Sequence, residues 1–144
     1  MLEMQINRLD NSKINSKIVV TLIKKNGKKK KTQRRDIAFK LKMTDDTIYK
    51  YQAILVGLSA IKDINQTIRI SMLGFQTNDL YGVADDRQLY FDDIKKRIIK
   101  ICQRHNSVFF DANMLALDNE YVNKIKKYLL TKSEHHDTGT VLID

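Results

Sequence analysis

The stretch from Lys17 to Arg35 constrains the fold most, because it joins the chain's clearest strand to its clearest turn. Ile18-Val19-Val20-Thr21-Leu22-Ile23 is mostly β-branched and apolar on both faces, which is how a central strand reads. Asn26-Gly27 follows, and both residues tolerate the positive φ that a type I′ hairpin turn requires. The return strand is predicted over Lys28–Arg35, which holds no apolar residue. A third strand is predicted over Ile37–Met43, where Ile37, Phe39, Leu41 and Met43 alternate with Ala38, Lys40 and Lys42. Residues 1–16 mix Leu2, Met4, Ile6 and Leu9 with polar residues and read as an extension without a firm state.

From Thr44-Asp45-Asp46, an N-cap cluster, the hydrophobic period changes from two to that of a helix. Ile48, Tyr51, Leu55 and Leu58 share one face, and Ala53, Ile54, Val56 and Ala60 widen it, so this helix should be covered on two sides. Thr67–Leu73 reads as a strand. A helix capped near Asp85 should turn Phe91, Ile94, Ile98 and Ile101 inward, leaving Lys95, Lys96, Arg97 and Lys100 mostly outward. Ser107–Asp111 reads as a short strand, and Asp118 or Asn119 caps a last helix bearing Tyr121, Val122, Ile125 and Leu129. The tail, 131–144, ends in Val141-Leu142-Ile143, which suits one added strand. The order β-β-β-α-β-α-β-α predicts an α/β fold, a mixed sheet with helices on its faces, forming one domain over 17–130.

Composition sets the class of partner. The 144 residues hold 26 Lys+Arg against 17 Asp+Glu, a net charge of +9. The charge is lopsided: residues 1–72 carry 16 basic and 6 acidic residues (+10), and residues 73–144 carry 10 and 11 (−1). Nineteen Lys, 17 Ile and 10 Asn beside only 3 Glu also fit an AT-rich coding sequence, as in a phage, virus or mobile element. One cysteine makes neither an internal disulfide nor a Cys-based zinc site. No apolar run reaches the ~18–20 residues of a spanning helix, and no signal-peptide core opens the chain, so a soluble cytoplasmic protein is expected.

Two segments placed on that order resemble the ribonuclease H-like superfamily. Tyr51-Gln52-Ala53-Ile54-Leu55-Val56-Gly57-Leu58-Ser59-Ala60 is similar to the family's first helix, which runs Ala-Glu-x-x-Ala-x-x-x-Gly-Leu-x-x-Ala. Asn119-Glu120-Tyr121-Val122-Asn123-Lys124-Ile125 resembles its closing Asn-Glu-x-Ala-Asp-x-Leu. The resemblance implies a nuclease site of carboxylates from the first strand, first helix, fourth strand and last helix, holding two divalent metals. Here the helix acid falls on Gln52 and the closing acid on Asn123. The predicted first strand, Ile18–Ile23, has no acid, and Ser71-Met72-Leu73 has none where the family carries Asp-Ser. An amide binds Mg²⁺ far more weakly than a carboxylate does, so a degenerate site with no metal, no cofactor and no catalysis is expected.

Function is expected elsewhere. In Lys24-Lys25-Asn26-Gly27-Lys28-Lys29-Lys30-Lys31-Thr32-Gln33-Arg34-Arg35, eight of twelve residues are cationic. A hairpin of that composition would contact phosphates, each contact releasing counterion. No ring is interleaved, so sequence-independent backbone contact is expected rather than base stacking. A solvated Lys-rich loop, or a site for an acidic protein surface, fits the same residues. The alternative is a protein–protein module or inhibitor, docking through an apolar patch left by the first helix. A third reading is a divergent nuclease using Asp36, Asp63 or Asp79. Asp85, Asp86, Asp92 and Asp93 read as helix-capping acids with Asp92–Lys96 and Asp93–Arg97 pairs rather than a metal site. His135-His136-Asp137 is weak evidence for a ligand set, His105 suits a cationic ring near a helix C-terminus, and Cys102 a small core position. Neither a Gly-rich phosphate loop nor Gly-x-Ser-x-Gly occurs.

Overall fold

A computed structural model describes residues 1–9, 15–26, 31–42, 48–72, 75, 80, 89–112 and 135–143. In chain order the elements are β1 (Leu2–Arg8), β2 (Asn15–Asn26), β3 (Lys31–Lys42), α1 (Ile48–Ala60), β4 (Thr67–Met72), α2 (Leu89–Cys102), β5 (Ser107–Asp111), β6 (His135–Asp137) and β7 (Val141–Ile143). All described strands join one sheet in the order β5-β4-β1-β2-β3-β6, with β7 also paired to β3. β1, β4 and β5 run parallel, whereas β1–β2–β3 is an antiparallel meander and β6 and β7 lie antiparallel on the outer edge of β3. The expected mixed α/β sheet is present; the expected last helix lies outside the described residues.

Three strand assignments change. Residues 1–16 are not an extension: Leu2–Arg8 is the central strand, paired with β2 on one side and β4 on the other. Leu2, Met4 and Ile6 turn to one face and are buried, while Glu3 and Gln5 between them are only half-buried. The predicted second and third strands are one, because β3 pairs with β2 without a break from Asn26↔Lys31 to Asn15↔Lys42. Of its polar half, Lys31 and Thr32 lie where the hairpin outruns β1, whose Leu2 pairs with Lys24, whereas Gln33, Arg34 and Arg35 lie level with Leu2, Glu3 and Met4. The tail supplies two strands, β6 and β7, rather than one.

The main core lies on one face of the sheet. Met4, Ile6, Ile18, Val20, Ile37, Phe39, Ile68 and Ile70 meet Tyr51, Ala53, Ile54 and Leu58 of α1 and Ile94 and Ile98 of α2. Gly57 lets α1 approach closely: a Cβ there would lie 2.6 Å from Met4 Sδ and 3.0 Å from Val20 Cγ1. Leu55, Val56, Ala60 and Ile61 are half-buried against this core, so none of the described apolar side chains of α1 is fully exposed. Lys95, expected outward, is buried, with Nζ 5.5 Å from the centroid of the Tyr51 ring.

The second face is the more polar one, although Val19 and Ala38 are buried on it too. Asn7, Thr21, Asp36 and Ser71 are buried there. The Thr21 hydroxyl donates to Asp36 Oδ1 at 2.7 Å, and Arg34 Nε donates to Asp36 Oδ2 at 3.0 Å. Arg69 donates to Asp111 and lies 3.9 Å from Glu3, tying β5, β4 and β1 together.

Candidate nucleic-acid interface

The basic hairpin and Gln52, the first-helix position where the resemblance implies an acid, occupy opposite poles of this sheet. β2 and β3 extend beyond the start of β1, so the hairpin turn lies at the N-terminal pole of the parallel strands. Gln52 lies in the first half of α1, at the other pole. There the Arg8 guanidinium sits 5.2 Å above the Tyr49 ring, at the end of β1. Tyr51 packs edge-on against Phe75 at 5.4 Å, and Phe75 packs on Phe110 of β5 at 5.1 Å. Seven residues of strand at ~3.3 Å each separate the poles by about 20 Å.

At the hairpin pole, strand pairing sets each cation's environment. Lys25 and Lys31 are exposed. Lys24 Nζ lies 3.9 Å from the Asp63 carboxylate, but both side chains are so exposed (43% and 78%) that the pair contributes ~0–1 kcal/mol. Arg34 and Arg35 point to opposite faces of β3, as successive strand residues must. Arg34 is held by Asp36. Arg35 grips Asp137 of β6 with two bonds, Nη2–Oδ2 at 2.5 Å and Nε–Oδ1 at 3.0 Å, and donates to the Ala60 carbonyl at 3.3 Å. That contact holds the Asp137 carboxyl below the usual range and raises Arg35. Of the eight predicted contacts, Lys24, Lys25, Lys31, Arg34 and Arg35 are brought onto one hairpin, and the two arginines also fasten the sheet. Lys28, Lys29 and Lys30 lie outside the described residues. A cavity of about 360 Å³ opens beside the hairpin, lined by Leu2, Leu22, Lys24, Arg35 and Lys62 among others.

At the other pole, Gln52 is half-buried, Ser71 and Met72 end β4 without an acid, and Asn123 lies outside the described residues. One expectation is corrected. The first strand is Leu2–Arg8, which does contain an acid, Glu3, and Asp10 follows it just beyond the described residues. Glu3 is engaged with Arg69 on the polar face. Of the described groups at this pole, the Gln52 amide and the Ser71 hydroxyl carry no charge, and the Asp111 carboxylate, level with Ser71 at the end of β5, is engaged by Arg69; two divalent ions require several anionic oxygens. Among the described residues, no three His, Cys, Asp or Glu side chains converge as a metal site.

The remaining candidates separate. Asp36 is buried on the polar face and Asp63 is exposed beyond α1 on the other face, so they share no site; Asp79 lies outside the described residues. Asp85 and Asp86 are likewise outside, as is the side chain of Asp92. Asp93 and Arg97 are both exposed and form no ion pair. Asp137 is taken by Arg35, which leaves His135-His136-Asp137 as an edge strand. His105 is not a cationic cap: its Nδ1 accepts the Gln66 N–H at 3.3 Å, and burial, then Arg104, lowers its pKa. Burial pushes the Cys102 thiol up to about 11, in keeping with an inert core cysteine. The cations that sequence reading passed over are Lys62 and Arg104, which tertiary contacts bring to the hairpin pole.

No protein-family model and no curated protein matches the chain. Among solved structures it is similar to LC9-RNase H1, described as a type 1 RNase H with the type 2 active-site motif. The TM-score is 0.61 at 12% identity, covering 96% of this chain and 76% of that one. No helix among the described residues is long and apolar enough to cross a membrane. The strand order, with two parallel and four antiparallel pairings among the described strands, and this match give the chain a ribonuclease H-like α/β fold.

Proposed function

We propose that this chain is a ribonuclease H-like domain that binds nucleic acid without cutting it, holding backbone phosphates through its basic hairpin independently of sequence. The observation that carries the reading is the placement of charge. The hairpin strands run on past the start of β1 with Lys24, Lys25 and Lys31 on them, and in the sequence the segment joining these strands holds three more lysines, Lys28, Lys29 and Lys30. Gln52, at the opposite pole, and Asn123 stand at two positions where the resemblance implies acids. Cations that have no buried role are free to exchange counterions for phosphates, and Lys25 and Lys31 are of that kind. A nucleic-acid-related role is also what the fold supports.

The test is affinity for a labelled duplex and a single strand of equal length across a salt series. Four phosphate contacts contribute about 3–4 to the slope of log K against log[salt]. Replacing Lys28, Lys29, Lys30 and Lys31 with Gln should remove up to that much. A slope left unchanged by the fourfold variant refutes the hairpin as the contact.

A further inference from the structure

We propose that the phosphate-binding surface does not end at the hairpin: Lys62, Arg97 and Arg104, around the C-terminal ends of α1 and α2, form a second anion-binding patch continuous with it. The inference rests on the nucleic-acid reading above and adds to it a site on other elements.

Two loops build the patch. α1 closes with Ile61 N–H donating to the Leu58 carbonyl at 3.2 Å, and α2 with Arg104 N–H donating to that of Ile101 at 3.0 Å. The loops that follow are fastened together. Asn65 N–H donates to the Arg104 carbonyl at 2.9 Å, Asn106 N–H to that of Gln66 at 3.0 Å, and the Asn106 side-chain amide to that of Asn65 at 3.0 Å. Gln66 N–H completes the set on the His105 ring. Asn65 takes a left-handed φ of 60°, which asparagine tolerates. Lys62 and Arg104 therefore leave from loops of fixed relative position.

Three hollows of about 360, 200 and 430 Å³ surround the last turn of α1. They are contiguous, because Ser59, Ala60 and Ile61 are each shared between two of them. Every one is walled by cations: Lys24, Arg35 and Lys62 in the first, Lys62 and Arg104 in the second, Arg35 and Arg97 in the third. The acids lining them are Asp63 and Asp137. Asp137 is engaged by Arg35, and Asp63 stands nearest Lys24. Lys62, Arg97 and Arg104 are exposed and enter no ion pair among the described residues. The surplus is thus positive, on a concave surface, beside a hairpin that carries more of the same charge. Among the described residues no Phe, Tyr or Trp lines any of the three hollows, which favours phosphate over base contact.

Helix C-termini attract cations on their own account, through their unpaired carbonyls. A cation serving only that purpose stabilises the fold and is indifferent to nucleic acid, and this difference sets the experiment. Fluorescence anisotropy with a labelled duplex of about 20 base pairs, and with the matching single strand, is measured across a salt series for three proteins. These are the parent, the Lys62→Gln/Arg97→Gln/Arg104→Gln variant and the hairpin variant, each with its thermal midpoint. The patch variant should bind more weakly and lose up to about 2–3 from the salt slope, at about 0.9 per contact, with little change in midpoint. An unchanged slope in the patch variant, beside a reduced slope in the hairpin variant, overturns this inference and leaves the hairpin reading standing. Unchanged slopes in both overturn both. Should the triple variant unfold, Arg97→Gln alone serves: Arg97 is exposed, is not a loop anchor, and should still lower the slope by up to about 0.9.

Discussion

Replacing Asp36 with alanine removes the acceptor on which the buried polar face of the sheet converges. The carboxylate is 3% exposed and accepts the Thr21 hydroxyl at 2.7 Å and Arg34 Nε and Nη2 at 3.0 and 3.4 Å. Thr21 itself is fully buried, so its hydroxyl has no water to turn to and is left unsatisfied at about 1–3 kcal/mol. Arg34, whose side chain is 24% exposed, recovers part of its lost partner from solvent, which limits that share to about 1 kcal/mol. The expected loss for Asp36→Ala is therefore about 2–4 kcal/mol. Asp36→Asn keeps an oxygen for Thr21 and should lose only about 1 kcal/mol. Urea unfolding followed by circular dichroism measures both, with the slope m unchanged if only stability has moved. Asp36→Ala within about 0.5 kcal/mol of the parent would refute the reasoning. Because this acid is structural, Asp36→Asn should also leave nucleic-acid affinity unaltered.

Further expectations concern packing, pH and the sheet edge. Gly57→Ala gains up to about 1 kcal/mol of helix propensity but drives a Cβ to 2.6 Å from Met4 Sδ. A net loss of about 1 kcal/mol is expected, and Gly57→Val should lose more than 3, both read from thermal melts. The His105 pKa is lower in the folded chain than unfolded. Its contribution is therefore complete above the unfolded value of ~6.5 and is lost as pH falls below it, until the folded ring protonates. Unfolding free energies between pH 7.5 and 5 should show this slope, and His105→Gln should flatten it. Asp137→Asn should loosen β6 from β3 at about 1 kcal/mol, since both partners are about a quarter exposed; faster amide exchange along Ile37–Phe39 would report it.

The chain displays parts of this fold openly and hides others for physical reasons. β5 coincides with the predicted Ser107–Asp111, and β4 and α2 lie close to their predicted ranges, because in β4 and α2 an apolar face alone sets the element. β1 carried a usable signal, Leu2, Met4 and Ile6 alternating with Glu3, Gln5 and Asn7, but one of its two partners, β4, lies more than sixty residues away. The polar half of β3 has no face to read; its pairing with β2 makes it a strand. β6 reads His-His-Asp, and Arg35 fastens it through Asp137. The hairpin's charge was legible as composition. That Gln52 lies at the opposite pole, and that Lys62 and Arg104 join the hairpin, follow from topology and from the hydrogen bonds between two loops.

Binding without cleavage is the central claim, and one incubation examines both halves of it. An end-labelled duplex, an RNA–DNA hybrid and a single strand are each mixed with the full chain in Mg²⁺ or Mn²⁺. Each sample is then run on a native gel for complex and on a denaturing gel for length. The account predicts a salt-sensitive shift of oligonucleotide that stays intact at every protein concentration. Metal-dependent fragments that increase with protein concentration, or no shift at low salt, would contradict it.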